Sequence, residues 1–137
     1  MWASEDLTRR AVEIIRRLPT EAEYARFTPI KLEGNGTSWV PRQHNCHANV
    51  ATVVNWYEGL KHIFGYLVLS PEMTGLSHWI VMAHSLVEPP EGGLLEITPE
   101  AGTEEVPFIR HDGDVAAHEE FRKAVKVFVQ PSALSAA

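Results

Sequence analysis

The only cysteine of the chain, Cys46, is followed by His84 in a strand-like segment and by Glu96 in the next such segment. A thiolate is a nucleophile, an imidazole can take up and return a proton, and a carboxylate can orient an imidazole. The order cysteine, histidine, acid therefore supplies the groups of a cysteine–histidine–carboxylate catalytic site.

Cys46 lies where a loop is expected to become a helix. The helix is predicted to begin at Asn45 or Cys46 and to end near Tyr57, before a glycine. Free N–H groups and the dipole at a helix N-terminus lower the pKa of a thiol. Cys46 stands one turn before Val50 on the apolar face of this helix, so the thiol is predicted to point inward.

His84 belongs to a predicted strand, Ser77–Glu88, in which alternate residues share a face. That face also carries His78, which could replace His84 as the partner of the thiol. An imidazole buried among apolar side chains needs partners for its nitrogens. Glu96 lies in the next predicted strand, Leu94–Thr98. A tight turn joins the two strands, which are predicted to form an antiparallel hairpin.

Helices at both ends of the chain and further strands complete the predicted domain. Periodicity and caps predict an α+β fold, in which the helix that carries the nucleophile lies on an antiparallel sheet. The remaining predictions are a helix capped by Ser4 and stopped by Pro19, a short helix Thr20–Phe27, a loop Thr28–Gln43 with a strand at Ile30–Glu33, strands His62–Ser70, Phe108–Arg110 and Val125–Val129, and a helix from Asp114 to Lys123.

Length and composition indicate an ordinary globular protein. The 137 residues suit a single domain, 1–137, with 45% apolar and 22% charged residues. A net charge of −6 without a basic stripe argues against nucleic acid as a partner. No apolar run is long enough for a membrane span. One cysteine cannot form an internal disulfide, and the first residues lack a signal-peptide pattern, so we expect a cytoplasmic protein.

Three stretches resemble a known family. Ala83–Glu88, followed by Gly92–Pro99, is similar to the second half of the transglutaminase-like branch of papain-fold cysteine enzymes, and Phe64–Leu67 resembles the strand between that family's cysteine and histidine. The resemblance covers roughly Cys46–Pro99 and implies a papain-like core at about 44–99, with N-terminal helices at 4–27 and a C-terminal helix and strand at about 108–130. The family usually has aspartate at the position of Glu96.

The resemblance implies that Cys46 is the nucleophile, His84 the general base and acid, and Glu96 the carboxylate that orients His84. Such a site hydrolyses an amide or peptide bond, or transfers an acyl group to an amine, and needs no cofactor. Gln43 could lend an amide N–H to an oxyanion hole. The expected substrate is a small-molecule or peptide amide, and the sequence points to no particular oligomeric state.

Other interpretations of these residues stay open. Cys46 could be a small core residue, His84 a core histidine and Glu96 a solvent-facing residue. The fold could also be a papain-like binding module that has no catalytic activity. A zinc site is disfavoured, because neighbouring residues of a helix point about 100° apart and no Cys-x-x-Cys or His-Glu-x-x-His spacing is present. Its ligands would come from His44, Cys46, His47, His62, His78 and His84.

Overall fold

A computed structural model describes residues 4–100 and 102–135 of the chain. These residues form two compact units. The first unit comprises Met1–Glu23, Phe64–His84 and Val106–Ala137, and the second comprises Tyr24–Ile63 and Ser85–Glu105. Within the described ranges, no helix has the length and apolar character needed to cross a membrane.

Helices and strands are interspersed along the chain. The architecture is mixed α+β with a mostly antiparallel sheet, which confirms the predicted fold class at that level. The helices are α1 (Glu5–Arg16), α2 (Leu18–Glu21), α3 (Cys46–Trp56), α4 (Pro71–Thr74), α5 (Val115–Ala124) and α6 (Pro131–Ser135). The strands are β1 (Arg26–Phe27), β2 (Leu32–Gly34), β3 (Thr37–Trp39), β4 (Lys61–Leu69), β5 (Trp79–Glu88), β6 (Leu95–Glu96), β7 (Phe108–Arg110) and β8 (Val127–Val129).

In the first unit the strands follow the order β8-β5-β4-β7. Strands β5 and β8 are antiparallel, with Trp79 opposite Val129, and so are β4 and β7, with Gly65 opposite Arg110. Helix α1 is capped by the Ser4 hydroxyl, which accepts the N–H of Leu7 at 3.2 Å, as the sequence predicted. Its apolar face is buried with side chains of the strands and of α5, and this core comprises Ala11, Val12, Ile14, Ile15, Tyr66, Val68, Val81, Ile109, Phe121, Val127 and Val129.

In the second unit the order is β1-β6-β5-β4. Strand β6 is antiparallel to β5, with Leu95 opposite Val87, and parallel to β1. Strands β2 and β3 form a separate hairpin whose turn residues both have positive φ, as the right-handed twist of a short hairpin requires. Helix α3 buries Val50 and Val53 in a core with Leu32, Val87 and Ile97.

Three predicted elements need correction. The N-terminal helices end at Glu21 and not near residue 27, because Ala22 is extended and Arg26 donates its N–H to Leu94 O at 3.0 Å to begin β1. The strand predicted at Ile30–Glu33 is one arm of the β2–β3 hairpin. The last strand begins at Val127, two residues later than predicted, because Val125 has a φ of 66°, which no strand residue adopts.

Candidate functional site

The structure assigns the predicted catalytic residues to buried positions in both units. In the second unit, Cys46 is the first residue of α3 and 9% exposed, and Glu96 lies in β6 and is 1% exposed. In the first unit, His84 lies in β5 and is 4% exposed. Gln43 is an exposed loop residue of the second unit. The three residues of the predicted triad are therefore buried, including Glu96, for which a solvent-facing position was an open alternative.

The N-terminus of α3 is available to a negatively charged group. Asn45 is the N-cap residue, and its backbone carbonyl accepts the N–H of Asn49 at 2.9 Å. Within the described part of the chain, the Asn45 side chain makes no capping hydrogen bond, and the first turn carries no acidic residue. The N–H groups of this turn thus keep their partial positive charge at the position of Cys46.

The loop that leads into Cys46 is held by a buried amide. Asn49 accepts the backbone N–H of Arg42 through Oδ1 at 3.0 Å, and its Nδ2 donates to the Arg42 carbonyl at 2.7 Å. The same Nδ2 donates to Thr98 Oγ1 at 3.0 Å. Asn49 and Thr98 are both buried. One helical side chain therefore fixes both backbone groups of Arg42 and links them to the segment after β6.

A second contact fixes the middle of the same loop. His44 has a φ of 62°, in the left-handed region that residues other than glycine seldom adopt. Its backbone N–H donates to Glu100 Oε1 at 2.9 Å, and its ring Nδ1 lies 3.2 Å from the same oxygen. Such a conformation costs on the order of 1 kcal/mol and persists where surrounding contacts enforce it. Hydrogen bonds therefore fix the conformation of the segment 42–45, which we call the cysteine loop.

The sequence-based reasoning missed Asn49, Thr98 and Glu100. Asn49 could have been identified from the sequence, because it stands three residues after Cys46 on the helix face that also holds Val50 and Val53. A short polar side chain in an apolar stripe needs a hydrogen-bond partner nearby. Thr98 and Glu100 carried no such signal, since their partners lie far away in sequence.

Glu96 is enclosed by hydrogen-bonded backbone. Its Oε2 accepts the N–H of Thr98 at 3.3 Å, and its carbonyl oxygen accepts the N–H of Thr28 at 2.9 Å. Burial of a carboxylate is costly unless hydrogen bonds compensate for the lost water. The position of Glu96 is thus fixed by its own strand and by the chain that continues from β1.

The two histidines considered as partners of the Cys46 thiol, His84 and His78, contact different aromatic rings. The His84 ring has an edge-on contact with Phe108, with ring centroids 6.5 Å apart. His78 precedes β5, and its ring makes an edge-on contact with Phe128 at 4.9 Å. Both contacts lie within the first unit.

In the second unit, the side chains of His47 and His62 both contact the hydroxyl group of Ser85. Ser85 is fully buried, and its hydroxyl oxygen lies 2.7 Å from His47 Nδ1 and 2.8 Å from His62 Nε2. A hydroxyl carries one proton, so it can donate to only one of the two nitrogens while the other ring donates to it. The hydroxyl thus links the first turn of α3 to β4 and β5. The sequence had suggested these histidines only as zinc ligands.

Among the residues that the structure describes, no three side chains of His, Cys, Asp or Glu are grouped so that they could hold a metal ion. The six residues considered for zinc are instead distributed over α3, the cysteine loop, β4 and β5 with its preceding turn. Comparisons with protein-family models, with curated proteins and with solved structures give no match to this chain. The assignment of roles therefore depends on the residues themselves.

Proposed function

We propose that the protein is a cysteine-dependent acyl-transfer enzyme with a papain-like, transglutaminase-like core. Cys46 is its nucleophile, His84 its general base and acid, and Glu96 the carboxylate that orients His84. The conformation of the cysteine loop supports this proposal most directly. Hydrogen bonds fix the loop, with His44 in a left-handed conformation. Cys46 follows this loop as the first residue of α3, whose N-cap side chain makes no capping hydrogen bond.

The proposed reaction begins when the Cys46 thiol gives its proton to His84 and the sulfur attacks the carbonyl carbon of an amide. The amine leaves with the proton that His84 returns, and a thioester remains on Cys46. Water then cleaves the thioester to a carboxylic acid, or an amine takes the acyl group. Neither route needs a cofactor, and we propose hydrolysis of a small-molecule or peptide amide as the main reaction.

The contacts of the second unit suit the stabilisation of the oxyanion. The backbone N–H of Cys46 is in the first turn of α3, where N–H groups have no partner in the helix. Gln43 lies in the held cysteine loop and, in this proposal, supplies a second N–H. A rigid loop keeps such donors in place before the substrate binds, which is the condition for electrostatic catalysis.

We also propose a cytoplasmic location, because a single cysteine cannot form an internal disulfide.

The first test is the pH dependence of alkylation of Cys46 by iodoacetamide. In this proposal His84 takes up the thiol proton and the helix N-terminus stabilises the thiolate, so we expect the wild-type protein to react at lower pH than N-acetylcysteine. His84→Ala should move the profile towards that of N-acetylcysteine. His78→Ala is the matched control and should leave the profile unchanged. A wild-type profile identical to that of N-acetylcysteine would contradict the proposal.

The second test looks for the covalent intermediate. Incubation with a panel of activated amides and esters should add the acyl mass to Cys46, as measured by peptide mass spectrometry, and Cys46→Ala should abolish both labelling and turnover while its circular dichroism stays that of the wild type. A reactive thiol that never becomes acylated would instead favour the non-catalytic binding module.

A further inference from the structure

The first unit contains a cavity of about 260 Å³ that the proposed chemistry does not use. Helix α1, strand β4, the connection between β7 and α5, and α5 itself contribute its walls. Tyr66, Ile14 and Phe121 are buried side chains at its base. We call this space the Arg17 cavity, because Arg17 lines both it and a neighbouring cavity of about 350 Å³.

The base of the Arg17 cavity is polar. His111 Nε2 lies 2.7 Å from the carbonyl oxygen of Asp114, and because a carbonyl only accepts, this nitrogen carries a proton. The other ring nitrogen, Nδ1, lies 2.7 Å from the Tyr66 hydroxyl. Burial raises the pKa of Tyr66 to about 12, although Arg10 and Arg17 oppose the shift, so the phenol stays protonated.

The two arginines of the wall are anchored to backbone. Arg10 donates from Nη2 to the carbonyl of Ala117 at 2.6 Å, and its guanidinium lies 5.0 Å from the centre of the Phe121 ring. Arg17 donates from Nη2 to the carbonyl of Arg110 at 3.0 Å. Both side chains are mostly buried, with exposures of 21% and 23%. The positive charges of the cavity are therefore fixed.

Asp112, the acidic neighbour of Arg17 at the cavity, is by contrast exposed. Its carboxylate is 3.3 Å from Arg17 Nη2, but its side chain is 83% exposed. An exposed ion pair of this kind adds little to stability, so another anion can replace it. In the described part of the chain, Arg17 makes its hydrogen bonds to Glu21 and Arg110 from Nε and Nη2, which leaves Nη1 for a ligand or water.

We propose that the Arg17 cavity binds a small ligand that carries a carboxylate, and that this carboxylate takes the place of Asp112 on Arg17. The ligand's carboxylate accepts from Nη1 of Arg17, since Nε and Nη2 donate to Glu21 and Arg110. The body of the ligand then lies on the base formed by Tyr66 and His111. This binding involves no covalent step and does not depend on the proposed role of Cys46.

The test uses sodium benzoate as the probe and benzamide as its uncharged match, at constant ionic strength. Titration of the full-length, ¹⁵N-labelled protein should shift the Arg17 Nε signal saturably with benzoate and not with benzamide. Asp112→Asn should tighten benzoate binding by about two- to fivefold, because it removes the competing carboxylate. Arg17→Gln should weaken it by more than about tenfold.

Glu33→Gln is the matched control, because Glu33 is an exposed partner of Lys31 and neither residue lines the cavity. It should leave the affinity for benzoate unchanged. Equal shifts with benzamide, unaltered affinity in Asp112→Asn, or tighter binding in Glu33→Gln would each overturn the proposal. The Asp112 variant is decisive even where Arg17→Gln fails to fold, since Asp112 is an exposed loop residue.

Discussion

The two units fix their polar groups in opposite ways. In the first unit, backbone carbonyl groups hold side chains: Ala117 holds Arg10, Arg110 holds Arg17, Asp114 holds His111, and Gly65 holds His118. In the second unit, side chains hold a loop backbone, since Asn49 binds both backbone groups of Arg42 and Glu100 binds the N–H of His44. The first arrangement places side-chain groups accurately, and the second places the main chain around Cys46.

This difference has a consequence for substitutions. A substitution leaves the backbone carbonyl of that residue in place. The stability of the first unit should therefore respond most to substitutions that displace the backbone. The second unit should be sensitive to the loss of one side chain, because Asn49 alone supplies three hydrogen bonds. The four predictions below test this contrast, from the largest expected effect to the smallest.

The largest effect is expected for Gly65→Ala in β4. An added Cβ at this position would overlap the ring of Phe108 and the carbonyl oxygen of Ile109. The strand must then move, together with the carbonyl that accepts His118 Nε2 at 2.9 Å. We expect a loss of about 3 kcal/mol in the free energy of unfolding, measured by urea denaturation. Phe108→Leu in the same background should recover part of this loss, and a wild-type stability would contradict the backbone interpretation.

Asn49→Leu should have the next largest effect. The substitution conserves size but leaves the Arg42 backbone groups and the buried Thr98 hydroxyl without their partner. We expect a loss of about 2 kcal/mol in the free energy of unfolding. Thr98→Val is the control, because it removes only one of the three hydrogen bonds and should cost about 1 kcal/mol. Equal effects of the two variants would show that Asn49 does not hold the cysteine loop.

His118 should make the first unit sensitive to acid. Burial lowers the pKa of this imidazole, and its neighbour His111 lowers it further, whereas the hydrogen bond to Gly65 opposes the shift. The unfolded chain therefore binds a proton more readily than the folded one. This contribution to stability is complete above the ordinary histidine pKa of about 6.5 and declines as the pH falls through the window below it. Urea denaturation from pH 7 to pH 5 should show the decline, and His118→Phe should lack it.

The smallest effect is expected at Val125, the residue between α5 and β8. Its φ of 66° and ψ of −63° are strained for a β-branched side chain, and the next residue, Lys126, donates its N–H back to Ala124 O at 2.8 Å. Val125→Gly should stabilise the protein by about 0.5 kcal/mol, because relief of strain exceeds the added freedom of the unfolded chain. Lowered thermal stability in this variant would show that the valine side chain has a contact that matters more than its strain.

Sequence patterns were sufficient for the elements with their own caps or periodicity. The start of α3 at Cys46, the long strands β4 and β5, and the Asp114 cap of α5 were all predicted, because hydrophobic spacing and capping residues act locally. Strands β1, β2 and β3 have two or three residues each, too few to show an alternation. Such short strands depend on partners elsewhere in the chain.

The surroundings of Cys46 were predictable only in part. The sequence predicted a buried cysteine at the start of a helix, but not the contacts that hold the cysteine loop. Those contacts join residues far apart in sequence, such as Thr98 with Asn49 and Glu100 with His44. The meeting of His47 and His62 at Ser85 spans 38 and 23 residues, and no local pattern encodes it.

The hydrogen bonds that join α3 to β4 through the Ser85 hydroxyl have a direction. With one proton to share, the chain of hydrogen bonds runs either from His47 to His62 or from His62 to His47. The two directions differ in the rotation of the O–H bond and in the tautomers of the two rings. The helix that carries Cys46 is thus connected to β4 and β5 through one shared hydroxyl proton, whose position depends on which imidazole donates.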